Sequence, residues 1–141
     1  MHQRVNMRAI VTWLWHWLPP LVLMAVIFSL SAQPHLPQAP GELLDALLKK
    51  LTHAAIYTAL FLLLVRAWRH SGVALRAVEA ALVTTAIYAF SDELHQSFVP
   101  GRKANWYDVL IDVIVPLLLW WLWRRGLPMA FFRRQDEYLT K

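Results

Sequence analysis

FSDELHQSFVPGRKANWYDVLID, residues 90–112, decides how this chain folds. It carries Asp92, Glu93, His95, Gln96, Arg102, Asp108 and Asp112, and the sequence on both sides is almost wholly apolar. Burying such groups costs free energy unless they are paired or used. The stretch therefore reads as the end of one membrane helix, a polar loop and the start of the next helix, with the polar residues gathered at a site.

The flanks support that reading. Hydrophobic residues make up 58% of the 141-residue chain and charged residues 16%, against about 45–50% and about 25% in soluble proteins. Without cysteine, neither a disulfide nor a thiolate metal site is available. The net charge is +5, but the positive residues sit at the ends of apolar runs and no nucleic-acid-binding motif accompanies them, so no nucleic-acid partner is expected.

The expected fold is all-α, a single domain over 1–141 forming an integral membrane bundle of four transmembrane helices at about 9–32, 51–69, 76–95 and 105–123, with a C-terminal tail at 126–141. The first run exceeds the ~20 residues of a spanning helix and the 7–15 of a signal-peptide core. Pro19 and Pro20 should kink it, and Trp13, Trp15 and Trp17 suit a headgroup interface. In the loop at 33–50, Leu43, Leu44, Leu47 and Leu48 keep helical spacing, as in a short interfacial helix. Arg76 and Glu79, three apart, share a face and are placed to pair. Residues 109–123 give only about 22 Å of helix, so the fourth helix must start near Asn105 or Trp106, drawing Asp108 and Asp112 below the surface. Trp120, Trp121 and Trp123 then form an aromatic belt before Arg124 and Arg125, and Phe131 and Phe132 anchor the tail.

Orientation follows from Lys and Arg. With four spans, Arg4, Arg8, Arg66, Arg69, Arg76, Arg124, Arg125, Arg133, Arg134 and Lys141 share one side, and Lys49, Lys50, Arg102 and Lys103 the other. Both termini are thus expected to be cytoplasmic and loops 33–50 and 92–107 to face outward. Three polar stripes come to that outer face: Lys50, His53 and Tyr57; Asp92, His95 and Gln96; Asp108 and Asp112. They cannot all face lipid, so they should turn toward one another. One reading is structural: polar residues hold membrane helices together, Asp108 caps the fourth helix and Arg102 pairs with Glu93. Three functional readings compete with it. Lys50, Arg102 and Lys103 can bind an anionic headgroup; Asp92 or Glu93 with His53 or His95 can carry acid–base chemistry; and His53, His95 and the carboxylates can hold a metal. The metal reading ranks last for want of a dense ligand motif. An ion path is disfavoured, since the inner halves hold one acid, Glu79. His2 and His70 read as solvated, His16 as interfacial or interhelical, and His35 as uninformative.

Three blocks, FSLSAQP at 28–34, KKLTHAAIYTAL at 49–60 and SDELHQSFVPGRKANWYDVLID at 91–112, resemble the VanZ-like family of small polytopic membrane proteins. By that resemblance the signature residues fall on Gln33, Lys50, His53, Tyr57, Asp92, Glu93, Gln96, Pro100, Gly101, Arg102 and Asp108. Asp112 stands where the family runs to Asn, and Val115-Pro116 where it has glycine. The family takes its name from a protein linked to resistance against teicoplanin, which implies a role in the bacterial cell envelope and a multi-pass place in the cytoplasmic (inner) membrane. It implies no family-wide reaction, so enzyme activity is left open. The expected partner is a membrane lipid or lipid-linked envelope precursor, with no cofactor and no metal. Lys50 and Arg102 hold its phosphate or carboxylate, Gln33, Tyr57, His95, Gln96 and Asp108 line the site, and Asp92, Glu93 and His53 carry any proton transfer. The alternative is a non-catalytic protein whose polar motif orders the loops and docks an envelope partner.

Overall fold

The computed structural model describes residues 7–34, 39–73, 76–102 and 104–126. Among them are four helices and no strand: α1 (Met7–Ser31), α2 (Glu42–His70), α3 (Ala77–Ser97) and α4 (Trp106–Arg124). The tail anchor, Arg4, His2, His35 and Lys103 lie outside the described residues. Three helices are long and apolar enough to cross a membrane: Ile10–Ser31 within α1, α2 and α4. At 21 residues, α3 reaches about 32 Å, but Glu79, Asp92 and Glu93 lower its apolar content.

α2 is the centre of the bundle and packs on the other three helices. Its buried face is Tyr57, Leu60, Phe61 and Leu64, spaced as one helical stripe. α3 meets it with Val78, Ala81, Thr85 and Ala89, where small residues let the backbones approach. α1 rests mainly on α2 and turns Val11, Trp15, Leu18 and Val22 outward. Surface this apolar is suited to lipid. α4 buries only Asp112 and Pro116, four apart on one face.

Cross-links at the two ends show that successive helices alternate in direction. At one end Trp17 Nε1 donates to Ser71 Oγ at 2.8 Å, the rings of His16 and His70 stack at 3.5 Å, and Arg124 meets Glu79 at 3.8 Å. At the other, Arg102 reaches the end of α1 and His53 of α2 reaches Asp112 of α4.

Several local expectations change. No separate interfacial helix forms after Gly41: the leucine-rich segment is the first part of α2, continuous from Glu42 to His70, which at 1.5 Å per residue outruns a ~30 Å hydrocarbon core. Glu79 turns to Arg124 rather than Arg76, which sits at the N-cap of α3. His16 is an interhelical residue, and its ring partner is His70, exposed but not merely solvated. Of the three tryptophans near the end of α4, only Trp121 is exposed, with Arg125 4.8 Å over its ring, while Trp120 and Trp123 pack on the core.

Candidate functional site

The polar residues collect where α1 and α3 end and α2 and α4 begin. Asp92 is a hub on α3, 2% exposed. Its Oδ2 accepts from Tyr57 Oη at 3.1 Å and from Gln96 Nε2 at 3.0 Å, and the same Gln96 amide lies 3.5 Å from Ser31 Oγ. One carboxylate thus ties α2 to α3, and Gln96, one turn further along, extends the network to α1. The other oxygen, Asp92 Oδ1, is buried with no protein partner.

Asp112 is the second buried acid, also 2% exposed. Its Oδ1 lies 3.2 Å from His53 Nδ1. With Asp112 ionised the carboxylate only accepts, so Nδ1 carries a hydrogen, and when the ring is neutral Nε2 is the acceptor nitrogen. A carboxylate that orients an imidazole in this way leaves Nε2 able to take a proton from a bound group.

The loop at 98–105 is built from backbone contacts. Arg102 N donates to Val99 O at 3.1 Å, and Gly101 takes φ +84° to close the turn, a conformation that glycine adopts without steric cost. The turn aims Arg102 back at α1: Nε donates to Gln33 O at 3.1 Å and Nη2 to Leu30 O at 3.2 Å. Leu30 O, in the last turn of α1, also accepts from Gln33 N at 3.2 Å, and Gln33 lies just past the helix; a cation is favoured at such a C-terminus. Glu93 accepts the Asn105 N–H across the same loop. Asn105 in turn caps α4, its Oδ1 accepting from Tyr107 N at 3.2 Å.

Two pairings expected from the sequence are therefore replaced. Arg102 binds the α1 terminus, not Glu93, because Gly101 turns it toward Leu30 and Gln33. Asn105, not Asp108, caps α4, because the helix begins at Trp106 and places Asp108 inside its first turn.

A cavity of about 390 Å³ opens among these groups, lined by Lys49, Lys50, His53, Gln96, Arg102, Asp108 and Asp112. It lies within the usual range of small-molecule sites. Lys50 is exposed at its edge; Lys49 is held by Asp45 at 2.5 Å, and Asp45 also accepts from Ala39 N at 2.9 Å. Of the expected site residues, Lys50, His53, Gln96, Arg102 and Asp108 meet at this cavity. Tyr57, Asp92 and Glu93 stand behind it in the hydrogen-bonded frame. Gln33 contributes its backbone carbonyl. His95 points elsewhere: its ring stacks on Phe28 of α1 at 4.1 Å, and its Nε2 is buried without a partner. His53 and His95 thus face different neighbours, and among the described residues no three His, Asp or Glu gather as a metal-binding group.

The family model described as VanZ/LLP1 matches residues 3–132. The chain belongs to the VanZ/LLP1 family. No curated protein and no solved structure matches it. Membership covers all three sequence blocks that carried the VanZ-like resemblance, and with three helices apolar enough to span it makes this a membrane protein.

The sequence did not single out Lys49 or Asn105 as site residues. Asp112 was visible as a stripe with Asp108, four apart on α4. Its pairing to His53 depends on how α2 and α4 face each other, which neither helix reveals alone.

Proposed function

We propose that this VanZ/LLP1 protein binds, and through His53 alters, an anionic lipid or lipid-linked precursor of the bacterial envelope at the outer leaflet of the cytoplasmic membrane. In this reading all four helices cross, with both termini cytoplasmic. Ten of the fourteen Lys and Arg residues then fall on the cytoplasmic side, as the positive-inside bias requires. α3 crosses with its acids turned into the bundle, where Asp92 and Glu93 are buried.

The observation that carries the reading is the 390 Å³ cavity in which Lys50, Lys49 and Arg102 flank the His53–Asp112 pair. Cations beside an oriented imidazole suit a phosphate or carboxylate head held next to a proton acceptor. Asp92 is engaged by Tyr57 and Gln96 and Glu93 by Asn105, so proton transfer falls to His53, with those two acids holding the frame. Lys50 supplies the mobile charge and the Nη1 end of Arg102 a directed one.

Native mass spectrometry of the detergent-purified protein tests this. An anionic lipid should co-purify, and Lys50→Glu should lower its retention at least tenfold without loss of folded protein. Equal retention of neutral and anionic lipids would refute the reading.

A second reading has its own support. The contacts of Arg102 to Leu30 and Gln33, and of Glu93 to Asn105, order the loops without any ligand. A non-catalytic protein presenting those loops to an envelope partner would lose function with Arg102→Ala and keep it with His53→Gln.

A further inference from the structure

Beside the polar cavity lies a second one of about 300 Å³, between α1 and α2. Its walls are mainly apolar, with Ile27 and Leu30 from α1 and Leu48 and Ile56 from α2, and Asp45, Thr52 and Tyr57 also reach it. Ile27 is 5% exposed at the deep side, whereas Leu30 and Leu48 are 42% and 46% exposed on the bundle surface. The two cavities have Lys49, His53 and Arg102 in common. One void is therefore apolar and reaches the outer face of α1 and α2. The other is polar, lined by Lys50 and Arg102 as well as Asp108 and Asp112, and the imidazole of His53 stands where the two voids meet.

Apolar walls give water few partners, and an unfilled void forfeits the dispersion contacts of its lining. Hydrocarbon would supply them. At the shared end Lys49 is paired with Asp45, so the Arg102 guanidinium, with Lys50 in the polar cavity, is the charge that an anionic head joined to that hydrocarbon would meet.

We propose that the slot between α1 and α2 takes one hydrocarbon chain of an anionic amphiphile whose headgroup occupies the polar cavity, so that the junction of head and chain lies against His53. This rests on the lipid reading above and adds the path of the chain. It also accounts for the extension of α2 past the length a bilayer needs: the first part of that helix, with Leu48 and Lys49, forms one wall of the slot and its charged end together.

The test uses the full chain purified in dodecyl maltoside and, as probe, a dodecyl phosphate with a terminal diazirine. Retention is read by native mass spectrometry and adducts are mapped after irradiation. The expected result is retention of the probe, with adducts concentrated at 27–31 and 48–56 and reduced at least tenfold by Ile56→Trp, which fills the slot. Leu30→Trp, on the opposite and exposed wall, should do the same, and the adduct map of the unaltered protein decides the matter if either variant fails to fold. Retention with adducts spread over the exposed faces of α3 and α4, at Ile87, Leu94 and Ile114, would overturn the slot and leave the lipid reading standing. No retention of the phosphate above the neutral detergent would overturn both.

Discussion

At the scale of single residues, the site divides one stripe of α2 between two acids. Tyr57 goes to Asp92 on α3, and His53, four residues earlier, goes to Asp112 on α4. The consequence is measurable. Tyr57→Phe keeps the ring but removes one donor from a buried carboxylate, leaving Gln96 as its donor. Hydrogen bonds between membrane helices contribute about 0.6–2 kcal/mol, so the variant should lose about 1 kcal/mol in mixed-micelle unfolding by dodecyl sulfate; an unchanged midpoint would show that Asp92 is satisfied without Tyr57. His53→Gln should leave the midpoint nearly unchanged, because His53 is half-buried and glutamine can still donate to Asp112, while lowering any activity that needs a proton acceptor by about 100-fold, the low end of general-base effects. Most of these residues were legible beforehand. Lys50, His53 and Tyr57 declared a shared face by spacing, as did Asp92 and Gln96. What spacing cannot say is which of Asp92, Asp108 and Asp112 each member meets. That is set by the rotation of α4 about its axis, and Pro116 buried one turn below Asp112 shows which side of α4 turns inward only once the helices are packed.

At the scale of elements, the loop between α3 and α4 works as a clamp. Gly101 sets its direction, Arg102 fastens it to α1, and Asn105 opens α4. Gly101→Ala should destabilise by about 1–2 kcal/mol, the cost of an L-residue in the left-handed region. The cost is conformational, since an added Cβ would meet only Pro34 O, at 3.8 Å. Asn105→Ala removes the cap of α4 and should cost about 1 kcal/mol. Both are read by the same unfolding titration, and a larger loss for Asn105→Ala than for Gly101→Ala would put the cap, not the turn, at the centre of the clamp. Arg102→Lys should not restore what Arg102→Ala loses, because two carbonyls three residues apart need the fork of a guanidinium rather than a point charge; hydrogen exchange at 30–34 would rise in both. These elements were legible to different degrees. The early start of α4 followed from length alone. The joining of the leucine-rich loop segment to α2 did not, because the prolines at 34, 37 and 40 marked a break and only Gly41, at φ +87°, shows where it ends. After Gly41, residues 42–70 contain no proline or glycine to interrupt the helix.

At the scale of the whole molecule, the bundle separates its chemistry by end. One end holds the cavity, Asp92, Glu93 and Asp112; the other holds the His16–His70 stack and the Glu79–Arg124 pair. The core between them is apolar apart from Thr85, whose hydroxyl is buried without a partner. Such a core offers no polar path from one end to the other, so which end faces outward determines what the site can meet. The absence of cysteine makes the orientation directly measurable. Ala104→Cys, exposed in the clamp loop, should react in intact cells with a maleimide that does not cross membranes. Val73→Cys, exposed in the connection between α2 and α3, should react only after permeabilisation. Neither substitution touches the hydrogen-bonded frame of the site. The opposite pattern would place the cavity on the cytoplasmic side and remove the outer-leaflet lipid from reach. Labelling of both in intact cells would mean that α3 does not cross, and its acids would then owe their burial to packing on α2 and α4 alone.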